Sequence, residues 1–244
     1  MTMRPRSNTK DENVISATLD PNHERLTQLE RRSLLAEQAR EQAHSLRSPL
    51  SVIELVSETL RLELGEEPGR AERLQRVLDA VSALSMNLTQ TVRSNRFADG
   101  PKRPVDVAKV AAEVVLAFGG RVDAGVSMYL EGAARSAEDA AVVLAEEQGF
   151  QAALVHLLRL IGVGNSCNGV CAQVPLLSVK QDQDAQRLRL HLMSEGAPEL
   201  PIPAERADYQ LMLRAVERVV RDSEGALVLG QDHATLELPL APAH

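Results

Sequence analysis

The sequence predicts an α plus α/β protein, a two-helix hairpin followed by a mixed domain, from three observations. Residues 21–64 carry one unbroken helical pattern. A second helical pattern follows a glycine–proline break, and beyond residue 104 helical stretches interleave with short alternating strands. The length of 244 residues fits one to two domains. With 44% hydrophobic and 25% charged residues, the composition excludes collagen-like, low-complexity and wholly disordered readings.

Residues 1–20 are polar and aperiodic and read as a flexible tail. No apolar stretch follows Arg4 and Arg6, so no secretory leader is expected. From Pro21 onward, Ala39, Ala43, Leu46, Leu50, Ile53, Ser57, Leu60 and Leu64 recur at alternating four- and three-residue steps, a heptad seam. Gly65-Glu66-Glu67-Pro68-Gly69 breaks it. A second helix places Leu74, Val77, Leu78, Val81, Leu84, Leu88 and Val92 on one face. Two such helices make an antiparallel hairpin, taken as residues 21–98, that cannot cover its own apolar stripe. Dimerisation into a four-helix bundle would bury it, and so would packing against the C-terminal half of the same chain.

The stretch Ala98-Asp99-Gly100-Pro101-Lys102-Arg103-Pro104 has two prolines, a glycine and no apolar anchor, and reads as a linker (99–104). Residues 105–244 then form the α/β domain. Helices are expected at Val107–Phe118, closed by Gly119-Gly120, at Gln148–Ile161, with Gly162-Val163-Gly164 as its cap, and at Tyr209–Asp222. Strands are expected at Val126–Leu130, Ala141–Leu144, Val170–Val179 and Arg187–Met193, with a hairpin of Ala226–Leu229 and Thr235–Leu238 around Gly230-Gln231-Asp232.

Several function classes drop out. The net charge of −7 and 2% aromatic content oppose a nucleic-acid surface, which needs basic patches and stacking rings. The longest apolar run, Ala140–Ala145, is far short of a membrane span. Cys167 and Cys171 read as free thiols of a cytoplasmic protein rather than a disulfide framework, with a metal or redox pair as the alternative. Walker A, H-E-x-x-H, G-x-S-x-G and Cys/His zinc spacings are missing, so no metal site is expected. His156 and His191, in or beside apolar runs, read as structural.

The most informative stretch is His44-Ser45-Leu46-Arg47-Ser48-Pro49-Leu50. Pro49 removes a backbone hydrogen bond and crowds the preceding turn, at a cost of ~3 kcal/mol within a helix. Since the seam continues in register on both sides, a kinked but continuous helix is expected. His44 is rotated ~100° from the seam residue Ala43, at the solvent edge of the stripe. Arg47, three residues on, shares its face and suits an anionic phosphoryl group. On spacing alone, His44 also reads as an ordinary surface residue, and Ser48-Pro49 as the N-cap and first position of a new helix.

This segment resembles the H-box of sensor histidine kinases, in which His, a small or acidic residue, an apolar residue, Arg or Lys, a small polar residue, Pro and Leu follow in order. The placement is similar too, midway along helix one of a hairpin ahead of an α/β domain, and the resemblance covers roughly residues 21–240. It implies a hairpin dimerised into a four-helix bundle, His44 as phospho-acceptor, and Arg47 and Ser48 as its neighbours in the chemistry. Ser45 departs from the Glu or Asp that acts as base in autophosphorylation.

The second half resembles the ATP-binding domain of that family in the order of its elements, in a degenerate form. The Asn that binds magnesium is replaced by Leu160 in His156-Leu157-Leu158-Arg159-Leu160-Ile161, and leucine offers no oxygen to a hard cation. In Ser194-Glu195-Gly196-Ala197-Pro198, Ser194 replaces the adenine-recognising Asp and Pro198 a flexible glycine. Asp208, Gln210 and Met212 stand where glycines would cradle phosphates, and the stretch between Gly196 and Tyr209 is too short for an ATP lid. The resemblance thus implies a histidine phosphotransfer protein that needs no cofactor and relays phosphoryl groups between His44 and the aspartates of response-regulator receiver domains, which supply the magnesium. The alternatives are a non-enzymatic dimeric regulator that sequesters a response regulator or inhibits a kinase, and an active kinase with a divergent ATP site, which Leu160, Ser194 and Pro198 oppose.

Overall fold

The computed structural model describes residues 21–63, 68–97, 99–124, 126, 141–163, 173–182, 184–196 and 206–241. The expected tail, both cysteines, Pro198, Gly164, Leu64 and residues 127–130 of the expected strand lie outside the described residues. Among the described residues the elements follow in the order α1 (Pro21–Glu63), α2 (Pro68–Ser94), β1 (Arg103–Asp106), α3 (Val107–Ala117), β2 (Arg121–Val122), β3 (Val142–Ala145), α4 (Glu147–Leu160), β4 (Val174–Asp182), β5 (Arg187–Glu195), α5 (Ala207–Asp222), β6 (Ala226–Leu229) and β7 (His233–Pro239).

A five-stranded sheet in the order β2-β4-β5-β7-β6 is antiparallel except for the parallel β2–β4 pair, and β1 and β3 form a separate antiparallel ribbon. Alternation sorts its two faces. Leu188, Leu190 and Leu192 of β5 and Ala234, Leu236 and Leu238 of β7 are buried, while Arg187, Arg189, His191, His233, Thr235 and Glu237 stand on the other face. Helix α3 packs against β2 and β4 at one edge, and α5 against β6 at the other.

Helix α4 lies between α1 and the remaining core. Every residue from Gly149 to Leu158 is buried, the signature of a helix covered all round. Its outer cover is the first half of α1, which packs on α4, α5 and α3 and buries Leu26, Leu29, Ala36, Ala39 and Ala43. Of the two covers expected for the α1 stripe, packing against the C-terminal half of the chain holds for the first half of the helix. The first half packs within the chain. The second half meets α2, where Ser57 and Val81 are buried while Leu46, Ile53 and Leu60 remain exposed.

Local rules explain most boundaries. The Asp106 carboxylate accepts from the Lys109 amide at 3.1 Å to cap α3, and Glu146 accepts from the Gly149 amide at 2.6 Å to cap α4. Gly162 closes α4 at φ +95°, a conformation that favours glycine.

Three expectations need correction. The stretch read as a linker without apolar anchor is tied down: Phe97 just before it is buried, Lys102 donates to the Asp222 carbonyl, and Arg103 and Pro104 already pair with Ala145 and Leu144. Pro104 is tolerated because a ribbon strand leaves one side of its backbone unpaired. Val126 is helical rather than extended, because the Asp123 carboxylate accepts from its amide at 3.0 Å. Helix α5 begins at Ala207, two residues ahead of the expected Tyr209, so Asp208 joins Gln210 and Met212 inside the helix.

Candidate functional site

Helix α1 is continuous from Pro21 to Glu63 with Pro49 inside it, so Ser48-Pro49 does not begin a new helix. Pro49 has no N–H to give the Ser45 carbonyl one turn back. The Ser45 hydroxyl instead donates to the Gln42 carbonyl at 2.9 Å, turning it away from any neighbour outside the helix.

The register of α1 then sets the candidate residues. Ala43 is buried, whereas His44, Arg47 and Ser48 are exposed, and their side chains make no hydrogen bond or ion pair among the described residues. His44 and Arg47 are three residues apart on one helical face, spacing at which side chains meet. The arrangement is an accessible imidazole with an uncommitted cation beside it.

This segment is braced from behind. One turn ahead of His44, Glu41 pairs with Arg214 of α5. Glu37 accepts from Arg218 at 3.0 Å and from Arg40 at 3.3 Å, and Arg40 also reaches Asp99 at 3.0 Å and the Phe97 carbonyl at 3.3 Å. Farther back, Glu30 meets Arg159 of α4 at 3.3 Å, and Arg25 donates to Gln151 at 2.8 Å. These long-range pairs tie α1 to the α/β domain from Arg25 to Glu41, and periodicity in the sequence carries no signal of them.

The residues expected to stand in place of nucleotide contacts have varied surroundings. Leu160 is 3% exposed and part of the core. His156, four residues earlier, is fully buried with both ring nitrogens unpartnered. Burial, with the Arg159 guanidinium adding to it, pushes this imidazole down to about 4. Arg159 also stands 5.3 Å over the Phe118 ring. The Ser194 hydroxyl donates to the Gln173 side-chain oxygen at 2.7 Å. On α5, Met212 is buried, Gln210 is exposed, and Asp208 pairs with Arg206 at 3.0 Å. Helix α5 carries no glycine, so its first turn is not the glycine-rich loop that brings backbone amides close to a phosphate.

A cavity of about 280 Å³ lies where the segment after α2 meets α4 and α5, lined by Asp99, Lys102, Glu146, Arg218 and Asp222 among others. It lies at the joint between the hairpin and the domain, and three of those five charged residues are acidic. No described helix is long and apolar enough to cross a membrane.

No family model matches the chain, and no curated protein matches it. Solved structures similar to it include Acinetobacter baumannii histidine kinase AdeS, at 14% identity and TM-score 0.38 over 82% of this chain and 98% of that one. Erythrobacter litoralis EL346 blue-light activated histidine kinase is 15% identical at TM-score 0.34, over 67% of this chain and 55% of that one. The histidine kinase domain from the same EL346 protein is 14% identical at TM-score 0.35, over 88% of this chain and 96% of that one.

Proposed function

We propose that this chain is a histidine phosphotransfer protein that exchanges phosphoryl groups between His44 and the aspartates of response-regulator receiver domains without binding ATP. The observation that carries the reading is His44 itself: exposed at the middle of a braced helix, with Arg47 free on the same face. Leu160 and Met212 in buried positions, Ser194 bonded to Gln173, Asp208 paired with Arg206, and Gln210 where a glycine would cradle phosphate favour a domain that serves as brace rather than nucleotide site. In this reading the hairpin (21–98) is the phosphotransfer unit, residues 99–104 join it to a degenerate domain (105–244), and the hairpin dimerises through the exposed half of its stripe.

The chemistry asks little of the protein. A ring nitrogen of His44 attacks the phosphorus of a receiver's aspartyl phosphate. The nitrogen–phosphorus bond forms as the phosphorus–oxygen bond to the carboxylate breaks, and the other ring nitrogen releases its proton to water. Arg47 offsets phosphoryl charge, and Ser48 is a polar neighbour one helical turn from His44. The receiver brings the magnesium and its acidic pocket.

The test is to mix the full chain with phosphorylated receiver domains from the same genome and no ATP. Label should move to this chain and be acid-labile and base-stable, as a phosphoramidate is. His44→Gln should accept none while keeping its melting temperature, and Arg47→Ala should transfer more slowly. Label persisting in His44→Gln, or failure of every receiver, would overturn the relay. Receivers that bind without transfer would instead support a non-enzymatic, sequestering regulator.

A further inference from the structure

On the face of the sheet turned away from the helices, two histidines from adjacent strands come together. His191 of β5 and His233 of β7 are diagonal neighbours in the antiparallel register, since His191 pairs with Thr235 and His233 with Met193. Their ring centroids are 5.8 Å apart and the rings are inclined at 43°. Each ring spends one nitrogen on a fixed partner. His191 Nδ1 is 2.8 Å from the Thr235 hydroxyl, and His233 Nδ1 is 2.8 Å from the Asp232 carboxylate. Neither Nε2 bonds to a described residue.

We infer that His191 and His233 form a two-imidazole site for a divalent transition ion of the zinc–copper–nickel class, bound through the two Nε2 atoms. Imidazole nitrogen suits these ions. A ligand histidine characteristically gives its other ring nitrogen to a carboxylate, carbonyl or hydroxyl that fixes tautomer and ring orientation. Asp232 and Thr235 supply that outer layer here. With metal–nitrogen distances of ~2.0–2.1 Å, two rings on one tetrahedral ion stand about 5 Å apart between centroids. The observed spacing needs closing by less than about 1 Å, within the reach of side-chain rotation. Both residues rise from hydrogen-bonded strands, so the spacing is set by the sheet rather than by a loop.

Among the described residues no group of three or more His, Cys, Asp or Glu side chains gathers to hold an ion. The remaining coordination positions therefore fall to water or to a group from outside the chain. This leaves the ion open to a further ligand, and it lies on the opposite side of the sheet from α1 and His44. The site is separate from the proposed relay.

The experiment titrates the untagged full chain with Zn²⁺ by calorimetry and follows the two His Nε2 resonances by NMR. One ion per chain is expected, with both resonances shifting together. His191→Ala and His233→Gln should each abolish binding, and Thr235→Val should weaken it about tenfold by freeing the His191 ring. His233 is exposed enough that His233→Gln keeps the test decisive even if His191→Ala fails to fold. Undiminished binding in His233→Gln, binding that instead disappears with Cys167→Ser or Cys171→Ser, or no binding at all would each overturn the proposal.

Discussion

Glu41, one helical turn ahead of His44, is ion-paired to Arg214 on α5, 173 residues away in sequence. The pair is half exposed, so its own worth is at most about 1 kcal/mol. Glu37, one turn farther back, is another matter. It is nearly buried and shared between Arg40 and Arg218, and Arg218 Nη2 is itself buried without a partner. Glu37→Ala would leave the Arg218 guanidinium without its carboxylate at a packed contact, while Arg40 keeps Asp99, and this costs about 3 kcal/mol by analogy with other broken buried pairs. Urea unfolding should therefore rank Glu37→Ala well below Arg214→Ala in stability. Equal midpoints for the two variants would show that α1 is held to the domain by apolar contact alone.

The proposal that the chain works without binding ATP leads to a second expectation. A ligand raises the melting temperature only if it binds the native state. With Leu160 in the core and α5 lacking glycines, millimolar Mg-ATP should leave the thermal transition where it was. A saturable rise would mean that an ATP site survives, and the phosphoryl source of His44 would need rethinking.

Much of this architecture is legible in the residues, and what escapes has identifiable causes. The alternation of Leu188, Leu190 and Leu192 against Arg189 and His191 announces β5, and the seam announces α1, because periodicity is a local property. Which surface covers a stripe is not local. Leu26, Leu29 and Ala36 look the same in sequence whether they face a second hairpin or α4, and the pairs that decide it, such as Glu30–Arg159, span 129 residues. Strand β2 is two residues long and owes its existence to a parallel partner, so no pattern could mark it. The exposed position of His44 beside buried Ala43 follows from helical rotation. The His191–His233 diagonal requires the β5–β7 register, which a sequence without an alignment does not display.

The exposed half of the α1 stripe bears on assembly. Ile53 is 44% exposed in the single chain, and Leu46, Leu60, Val77 and Leu84 are also open. Contiguous apolar surface of this kind marks an interaction site. If a second copy covers it, Ile53→Asp buries an unpaired charge in the dimer only, at a cost of several kcal/mol, and costs little in the monomer. Sedimentation of the full chain should show a dimer, and the variant should sediment as a folded monomer. A wild-type chain that remains monomeric at all concentrations would leave this face to another partner.

The last expectation concerns His156, fully buried on α4 with both ring nitrogens unpartnered. Burial depresses its pKa to about 4 in the native state, with Arg159 pushing the same way, while in the unfolded chain the imidazole returns to its ordinary value near 6.5. The sign follows from proton counting. Above about pH 6.5 the ring is neutral in both states and makes no pH-dependent contribution. Between about 6.5 and 4 the unfolded chain takes up a proton that the native state refuses, so stability falls with falling pH, by roughly 3 kcal/mol across the window. Below about 4 both states are protonated and the loss levels off. His156→Leu removes the titration and two unsatisfied polar atoms at similar volume, so at pH 7 it should be neutral or stabilising. Denaturation of the two proteins at matched pH values isolates the effect, because every other titrating group is common to both. The difference in unfolding free energy should widen steadily from pH 6.5 down to 4, the wild type losing more. A difference that stays constant with pH would mean that the ring takes up its proton equally in both states, and the depressed native value would be wrong.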